Sequence, residues 1–138
     1  MKCNELQLGN YVLIKPSGKL ISIAAIHQKK VGYHNVPNKL EWVRQSMLNP
    51  IFLTDDILEK NFPKNEGGNY QLCRMWRIWP NPTYGWVAAI FSIDNTWGGI
   101  YEPCIPCRYV HELQNLLTLL KVNKKIILRK NQKFKKAQ

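Results

Sequence analysis

The sequence predicts an α+β protein in which a short antiparallel sheet is packed on one amphipathic helix. Three observations support this fold class. Apolar residues recur at helical spacing over residues 109–120, which predicts a helix with one apolar stripe. The stripe consists of Tyr109, Val110, Leu113, Leu116, Leu117 and Leu120. Over residues 11–53, short apolar runs alternate with turn-forming residues, which predicts antiparallel strands. The apolar run WVAAIFSI at 86–93 predicts a buried strand.

The first half of the chain predicts a small antiparallel SH3-like β-barrel or curled sheet. Its predicted strands are YVLI at 11–14, LISIAAI at 20–26, VGYH at 31–34, LEWV at 40–43 and PIFL at 50–53. Turn residues at Pro16–Gly18 and at 35–38 separate the strands. In the fourth strand, alternation places Leu40, Trp42 and Arg44 on one face.

The segments that follow predict a short helix and then a second sheet. Thr54 is the predicted N-cap of a helix that ends before Pro63. Paired glycines within 64–69 predict a linker, and YQLCRMWRIW at 70–79 predicts a single strand. We therefore expect an N-terminal β unit over 1–63, a sheet and helix unit over 69–120 and a basic tail over 121–138. One continuous domain over 1–120 is the alternative.

Positive charge is concentrated at one end of the chain. The formal net charge is +11, and residues 121–138 hold eight basic residues and no acid. The first 120 residues retain 12 basic and 9 acidic residues, a net charge of +3. No apolar run is long enough to cross a bilayer, and the start of the chain lacks the apolar core of a signal peptide. We expect a cytoplasmic protein with no membrane partner and with four reduced cysteines.

Three segments carry a resemblance to a known group of proteins. They are NELQLGNYV at 4–12, PIFLTDDILEKNF at 50–62 and RYVHELQNLLTLL at 108–120. In this order and spacing the chain resembles a group of short uncharacterised proteins of gut bacteria and their phages. The resemblance implies a mobile-element context and assigns no activity to any residue. The chain departs from that group in its lysine-rich tail, where the group has a short acidic end.

The motif Cys104-Ile105-Pro106-Cys107 has the spacing of half a zinc site or of a redox pair. A complete zinc site would need Cys3 and Cys73, or two of the three histidines, to converge on it. The histidines are His27, His34 and His111. The predicted arrangement of strands does not resemble thioredoxin, so we expect two structural thiols and no bound metal. We expect His111, Gln114 and Asn115 to lie on the polar side of the helix.

Aromatic and basic residues predict an anion-binding or nucleic-acid-binding surface. Alternation places Arg74 and Trp76 on one face of the 70–79 strand, and Arg77 and Trp79 on the other. Rings beside guanidinium groups suit stacking on bases and pairing with phosphates. The competing interpretation is that these tryptophans form ordinary core. The tail adds the basic residues Lys124, Lys125, Arg129, Lys130, Lys133, Lys135 and Lys136.

These observations favour a non-enzymatic module that binds nucleic acid without sequence preference. No set of nucleophile, base and acid stands out in the sequence, and no cofactor is expected. The alternative is a protein that binds a small anionic nucleotide, or that blocks a host defence protein.

Overall fold

The computed structural model of the chain describes residue 1, residues 3–90 and residues 104–128. The predicted α+β class is confirmed, because these residues form antiparallel strands and two α-helices. The helices are α1 (Asp55–Asn61) and α2 (Val110–Leu119). The strands are β1 (Tyr11–Ile14), β2 (Lys19–Ser22), β3 (Ala25–His27), β4 (Lys30–Val36), β5 (Lys39–Arg44), β6 (Leu48–Asn49), β7 (Tyr70–Gln71), β8 (Trp76–Asn81), β9 (Gly85–Ile90) and β10 (Ile105–Pro106). Neither described helix has the length and apolar character needed to span a membrane.

The described residues divide into two compact units. Unit 1 contains the described parts of Met1–Phe52 and Tyr109–Leu116, and unit 2 contains the described parts of Leu53–Arg108 and Leu117–Gln132. A compact unit does not have to fold independently. The predicted domains over 1–63 and 69–120 therefore stay a prediction.

The first sheet of unit 1 is built around β1. Its strand order is β2-β1-β6, and both neighbours pair antiparallel with β1. Val12 and Leu13 are both buried although they point to opposite faces, so β1 is covered on both sides. The β1–β2 turn ends at Gly18, whose φ of +73° suits glycine.

The predicted strand LISIAAI is divided between two sheets, which corrects the prediction of one strand. Ile23 donates its backbone N–H to Asn10 O at 2.9 Å, whereas Ala24 donates to Gly32 O at 2.8 Å. The chain therefore leaves the first sheet and enters a second one, with the order β3-β4-β5, at this point. Because β2 and β3 pair with different partners, the described strands form separate sheets and no closed barrel, and the SH3-like arrangement is not confirmed.

Side chains from both sheets of unit 1 meet in one hydrophobic core. The fully packed members are Leu6, Val12, Ile21, Ile23, Val31 and Leu48. Tyr33 of β4 and Val43 of β5 pack against them while half-buried. One face of the β3–β5 sheet is therefore turned toward this core, and its opposite face is left outside it.

Helix α2 confirms the prediction for residues 109–120 to within one residue at each end. Its predicted apolar stripe is buried at Val110, Leu113, Leu116 and Leu117. Glu112 accepts a hydrogen bond from the backbone N–H of Tyr109 at 3.0 Å, which satisfies a donor at the start of the helix. Leu119, which the stripe does not include, is 74% exposed.

The polar side of α2 holds the segment that leads into β1. Gln114 accepts from the backbone N–H of Tyr11 at 2.9 Å and donates to Gly9 O at 3.1 Å. Asn115 accepts from the Asn10 side chain at 2.9 Å and donates to Glu5 O at 3.0 Å. Two amide side chains one residue apart thus satisfy backbone groups of a segment more than 100 residues earlier in the chain.

Helix α1 of unit 2 begins as predicted. Thr54 is the N-cap, and its hydroxyl accepts from the backbone N–H of Ile57 at 3.4 Å. The Asp55 carboxylate in the first turn accepts from the hydroxyl of Tyr70 at 2.5 Å. Burial, and then this carboxylate, raise the pKa of Tyr70.

The sheet of unit 2 has the strand order β10-β9-β8-β7, so β9 and β8 are the inner strands. The prediction of one strand over 70–79 is wrong, because residues 72–75 form a turn between β7 and β8. The backbone N–H of Leu72 donates to Trp76 O at 2.9 Å and closes this turn. The predicted linker at 64–69 forms a second closed turn, in which the backbone N–H of Asn65 donates to Asn69 O at 2.8 Å.

Candidate nucleic-acid interface

The basic and aromatic residues predicted around β8 are split between a turn and two faces of the sheet. Arg74 is exposed in the turn that precedes β8. Trp76 lies on one face of the strand, and Arg77 and Trp79 lie on the other, as alternation requires. All three are half-buried. The four residues therefore do not share one surface.

Trp86 of β9 is an ordinary core tryptophan. It is 7% exposed, and its indole N–H donates to Leu53 O at 2.9 Å. The next three residues of β9 are also buried although they alternate between faces, so this strand is covered on both sides. Trp86 therefore stabilises the fold and is not available on a surface.

The start of the basic tail is attached to unit 2. Ile126 is 1% exposed, and the side-chain amide of Asn61 bonds both backbone groups of Ile127. The amide donates to Ile127 O at 3.0 Å and accepts from Ile127 N–H at 2.7 Å. Lys124 and Lys125 are exposed beside this attachment, and the Lys124 ammonium lies 5.3 Å from the centre of the Phe62 ring. The remaining predicted residues, Arg129, Lys130, Lys133, Lys135 and Lys136, lie outside the described residues.

The two cysteines of the CIPC motif flank strand β10. Cys104 is half-buried and Cys107 is buried, and the backbone N–H of Cys107 donates to Trp86 O at 2.8 Å. The helix begins three residues after Cys107, so neither thiol occupies the helix N-terminus that a redox motif uses. Within residues 3–90 and 104–128, no group of three or more His, Cys, Asp or Glu side chains is placed to hold a metal ion.

His111 is buried, which corrects the prediction that it lies on the polar side of α2. It is 1% exposed, and its ring stacks on Tyr109 at 5.7 Å between centroids. Among the described residues, none provides a hydrogen-bond partner for its Nδ1 atom. Burial lowers the pKa of His111 to about 4, with a smaller contribution from the N-terminal ammonium. The imidazole is therefore neutral at physiological pH.

A surface that the sequence did not single out as a binding site lies on the β3–β5 sheet. Cross-strand pairing places Ala25, Gly32 and Trp42 in one row and His27, Lys30 and Arg44 in the next. His34 and Leu40 form a third row on the same side. We call the outward side formed by these eight residues the Trp42 face. It lies opposite the core-facing residues Val31, Tyr33 and Val43.

Trp42 is the largest aromatic side chain on this face, and it is 48% exposed. Its cross-strand partner is Gly32, which has no side chain that could cover the indole. The ring of His27 on β3 approaches the indole edge-on, with 6.5 Å between centroids and 74° between planes. Leu40 lies over Gly32, because a Cβ atom at Gly32 would come within 3.1 Å of the Leu40 side chain. A flat, partly exposed indole is thus in edge-on contact with an imidazole.

The Trp42 face is positively charged. Lys30, Arg44 and the two histidines are exposed on it. The one acid in residues 25–44 is Glu41, which pairs with Tyr33 on the opposite side of the sheet. Hydrogen bonds from Asn35 at 3.2 Å and Tyr33 at 3.1 Å lower the pKa of Glu41.

The sequence held part of the signal for this surface. Alternation predicted that Leu40, Trp42 and Arg44 share one face, and the structure confirms it. The position of Gly32 opposite Trp42 depends on the register of β4 and β5, which the pattern does not specify. His27 and His34 lie on the same face but are not cross-strand partners.

Comparison of the chain with protein-family models, with curated protein sequences and with solved structures finds no match. The functional argument therefore rests on the chemistry of these residues alone.

Proposed function

We propose that the protein is a non-enzymatic module that binds nucleic acid without sequence preference. The observation that carries the proposal is the distribution of charge. Residues 121–138 hold eight basic residues and no acid, and the described start of this segment is attached to unit 2 through Ile126 and Asn61. A basic segment with a fixed point of attachment brings its charge to the phosphate backbone without reading bases.

Binding of this kind depends steeply on salt, because each phosphate contact releases condensed counterions. If all eight basic residues contact duplex phosphates, the slope of log K against log salt is about −7. A chain that ends at Leu128 lacks five of them, so its slope should be smaller by about 4 to 5. Fluorescence anisotropy with a labelled random duplex, between about 50 and 200 mM salt, measures both slopes. Equal slopes for the two chains would refute the proposal.

A matched pair of charge variants tests whether position matters as well as net charge. Lys133→Gln with Lys135→Gln should reduce the slope by about 2. Lys15→Gln with Lys60→Gln makes the same change in net charge at exposed positions of the body, and it should leave the slope unchanged. The same loss in both variants would show that binding follows net charge and not the tail.

The alternative partners are a small anionic nucleotide and a host defence protein. Nucleotide binding is separated from tail binding by thermal shift, because a ligand held by the folded body raises the melting temperature by mass action. We also propose a mobile-element context, because the three segments quoted above resemble proteins of gut bacteria and their phages. We also propose a cytoplasmic site of action, the compartment in which cysteines are expected to stay reduced.

A further inference from the structure

We infer that the Trp42 face stacks unpaired bases, so that single-stranded nucleic acid is the preferred form of the partner. This inference rests on the proposed function and adds to it a second contact surface in unit 1. The tail accounts for attraction to phosphate, which both single strands and duplexes present. The Trp42 face accounts for a preference between them.

Stacking requires an exposed and preorganised ring, and Trp42 meets both conditions. Nearly half of its surface is open, and Gly32 leaves the adjacent position on β4 without a side chain. The edge-on contact with His27 at 6.5 Å limits the orientations of the indole. A base that stacks on the ring therefore meets a surface whose conformational entropy is already reduced.

The charges around Trp42 identify the occupant. Lys30 and Arg44 lie in the row next to Trp42, and Glu41, the one acid of residues 25–44, belongs to the opposite face. An apolar protein partner would have to bury these cations without compensating acids. A polynucleotide strand supplies both a flat apolar group for the indole and phosphates for the lysine and the arginine.

Base pairing decides which nucleic acid can use this face. In a duplex, both sides of each internal base are stacked against neighbouring bases, so the indole cannot reach them. Unpaired bases expose their faces, and single strands are bound in this way by aromatic platforms. Stacking of one base on an aromatic side chain corresponds to about a 5- to 150-fold change in affinity.

The test compares the full chain with Trp42→Ala on a labelled random single strand and on a duplex of the same length. Trp42→Ala should weaken single-strand binding at least about 5-fold and leave duplex binding within twofold. Trp42→Phe retains an aromatic ring and should recover most of the loss. Tyr84→Ala is the matched control, because Tyr84 is also an exposed aromatic residue, 47% exposed in unit 2, and its removal should change neither affinity.

Each outcome separates the inference from the proposed function. Suppose that the full chain binds both nucleic acids in a salt-dependent manner, and that Trp42→Ala binds each of them with the same affinity as the full chain. The inference then fails and the proposed function stands. If neither nucleic acid binds at low salt, the proposed function fails. Sedimentation that shows a dimer lost in Trp42→Ala would overturn the inference, because a second copy would then occupy the face.

A second readout keeps the test decisive if Trp42→Ala does not fold. Trp42→Leu keeps an apolar side chain but removes the ring. Its affinity for single strands should therefore fall at least about 5-fold, the loss expected for Trp42→Ala. Quenching of tryptophan fluorescence by the single strand should also fall in Trp42→Phe. Quenching that is unchanged in Trp42→Phe, together with full affinity in Trp42→Leu, would overturn the inference.

Discussion

The β3–β5 sheet of unit 1 and the β7–β10 sheet of unit 2 both carry tryptophan and arginine, but they differ in how their faces are covered. Strand β9 is buried on both faces, and its Trp86 is enclosed and hydrogen-bonded to Leu53. Strand β5 is an edge strand with one face outside the core, and its Trp42 is nearly half exposed. The same side chain therefore stabilises the fold in one sheet and is available to a ligand in the other.

The largest expected effect tests this difference in the tryptophans. Trp86→Ala removes a buried ring and leaves the Leu53 carbonyl without its donor, so it should lower the free energy of unfolding by about 3–5 kcal/mol. Trp42→Ala should lower it by about 1 kcal/mol or less, because the ring is partly solvated already. Urea denaturation of both variants measures the two values. Equal losses would mean that Trp42 is also core.

The second test compares a buried histidine, His111, with an exposed one, His34, by the effect of each on the pH dependence of stability. His111 has a pKa of about 4 in the fold and about 6.5 when unfolded, so protonation favours the unfolded chain. The neutral imidazole therefore contributes to the free energy of unfolding above pH 6.5, and this contribution is lost as the pH falls toward 4. The loss is about 3 kcal/mol. His111→Phe keeps the contact with Tyr109 and removes this titration.

The readout is the difference between variants, because carboxylates also titrate in this range. Between pH 7 and pH 4, the native chain should lose about 3 kcal/mol more stability than His111→Phe. His34→Phe is the control for the substitution itself, because His34 is exposed. Parallel curves for the native chain and His111→Phe would contradict the buried, neutral imidazole.

The smallest effect concerns the attachment of the tail, where an enclosed asparagine is compared with an exposed one. Asn61 is 4% exposed and donates to Ile57 O at 2.8 Å in addition to its two bonds with Ile127. Asn61→Ala should cost about 2 kcal/mol of stability and remove the exchange protection of the Ile127 amide. Asn123→Ala, at an exposed position of the same segment, should do neither. Retained protection in Asn61→Ala would show that the tail is held by something else.

The elements that could be predicted are those whose signal is local. The amphipathic period of residues 109–120 predicted α2, and Thr54 predicted the start of α1, because apolar spacing and capping act within a few residues. The alternation of Leu40, Trp42 and Arg44 likewise survives in β5. Predictions failed where the chain turns inside a run of strand-forming residues. LISIAAI is divided because β2 pairs with β1 and β3 pairs with β4. YQLCRMWRIW is divided because its two halves fold back on each other, with β7 paired to β8.

The candidate sites show the same limit. His111 is separated by three and four residues from Gln114 and Asn115, and the period alone placed all three on the polar side of α2. The amides bond to the segment before β1, whereas the imidazole is enclosed beside Tyr109. Helical spacing sets the direction in which a side chain points, but the segments that pack around the helix decide whether that side chain is buried.

By itself, the sequence determined the α+β composition, the two helices, the turns with glycine and proline, and the concentration of positive charge after residue 120. These features follow from local backbone preferences and from counting charges, and neither depends on distant contacts. The tertiary structure alone decided which tryptophan is enclosed and which is open, that Gly32 faces Trp42, and that His111 is buried. Each of these depends on strand register and on packing between segments far apart in the chain, and no short pattern of residues contains that information.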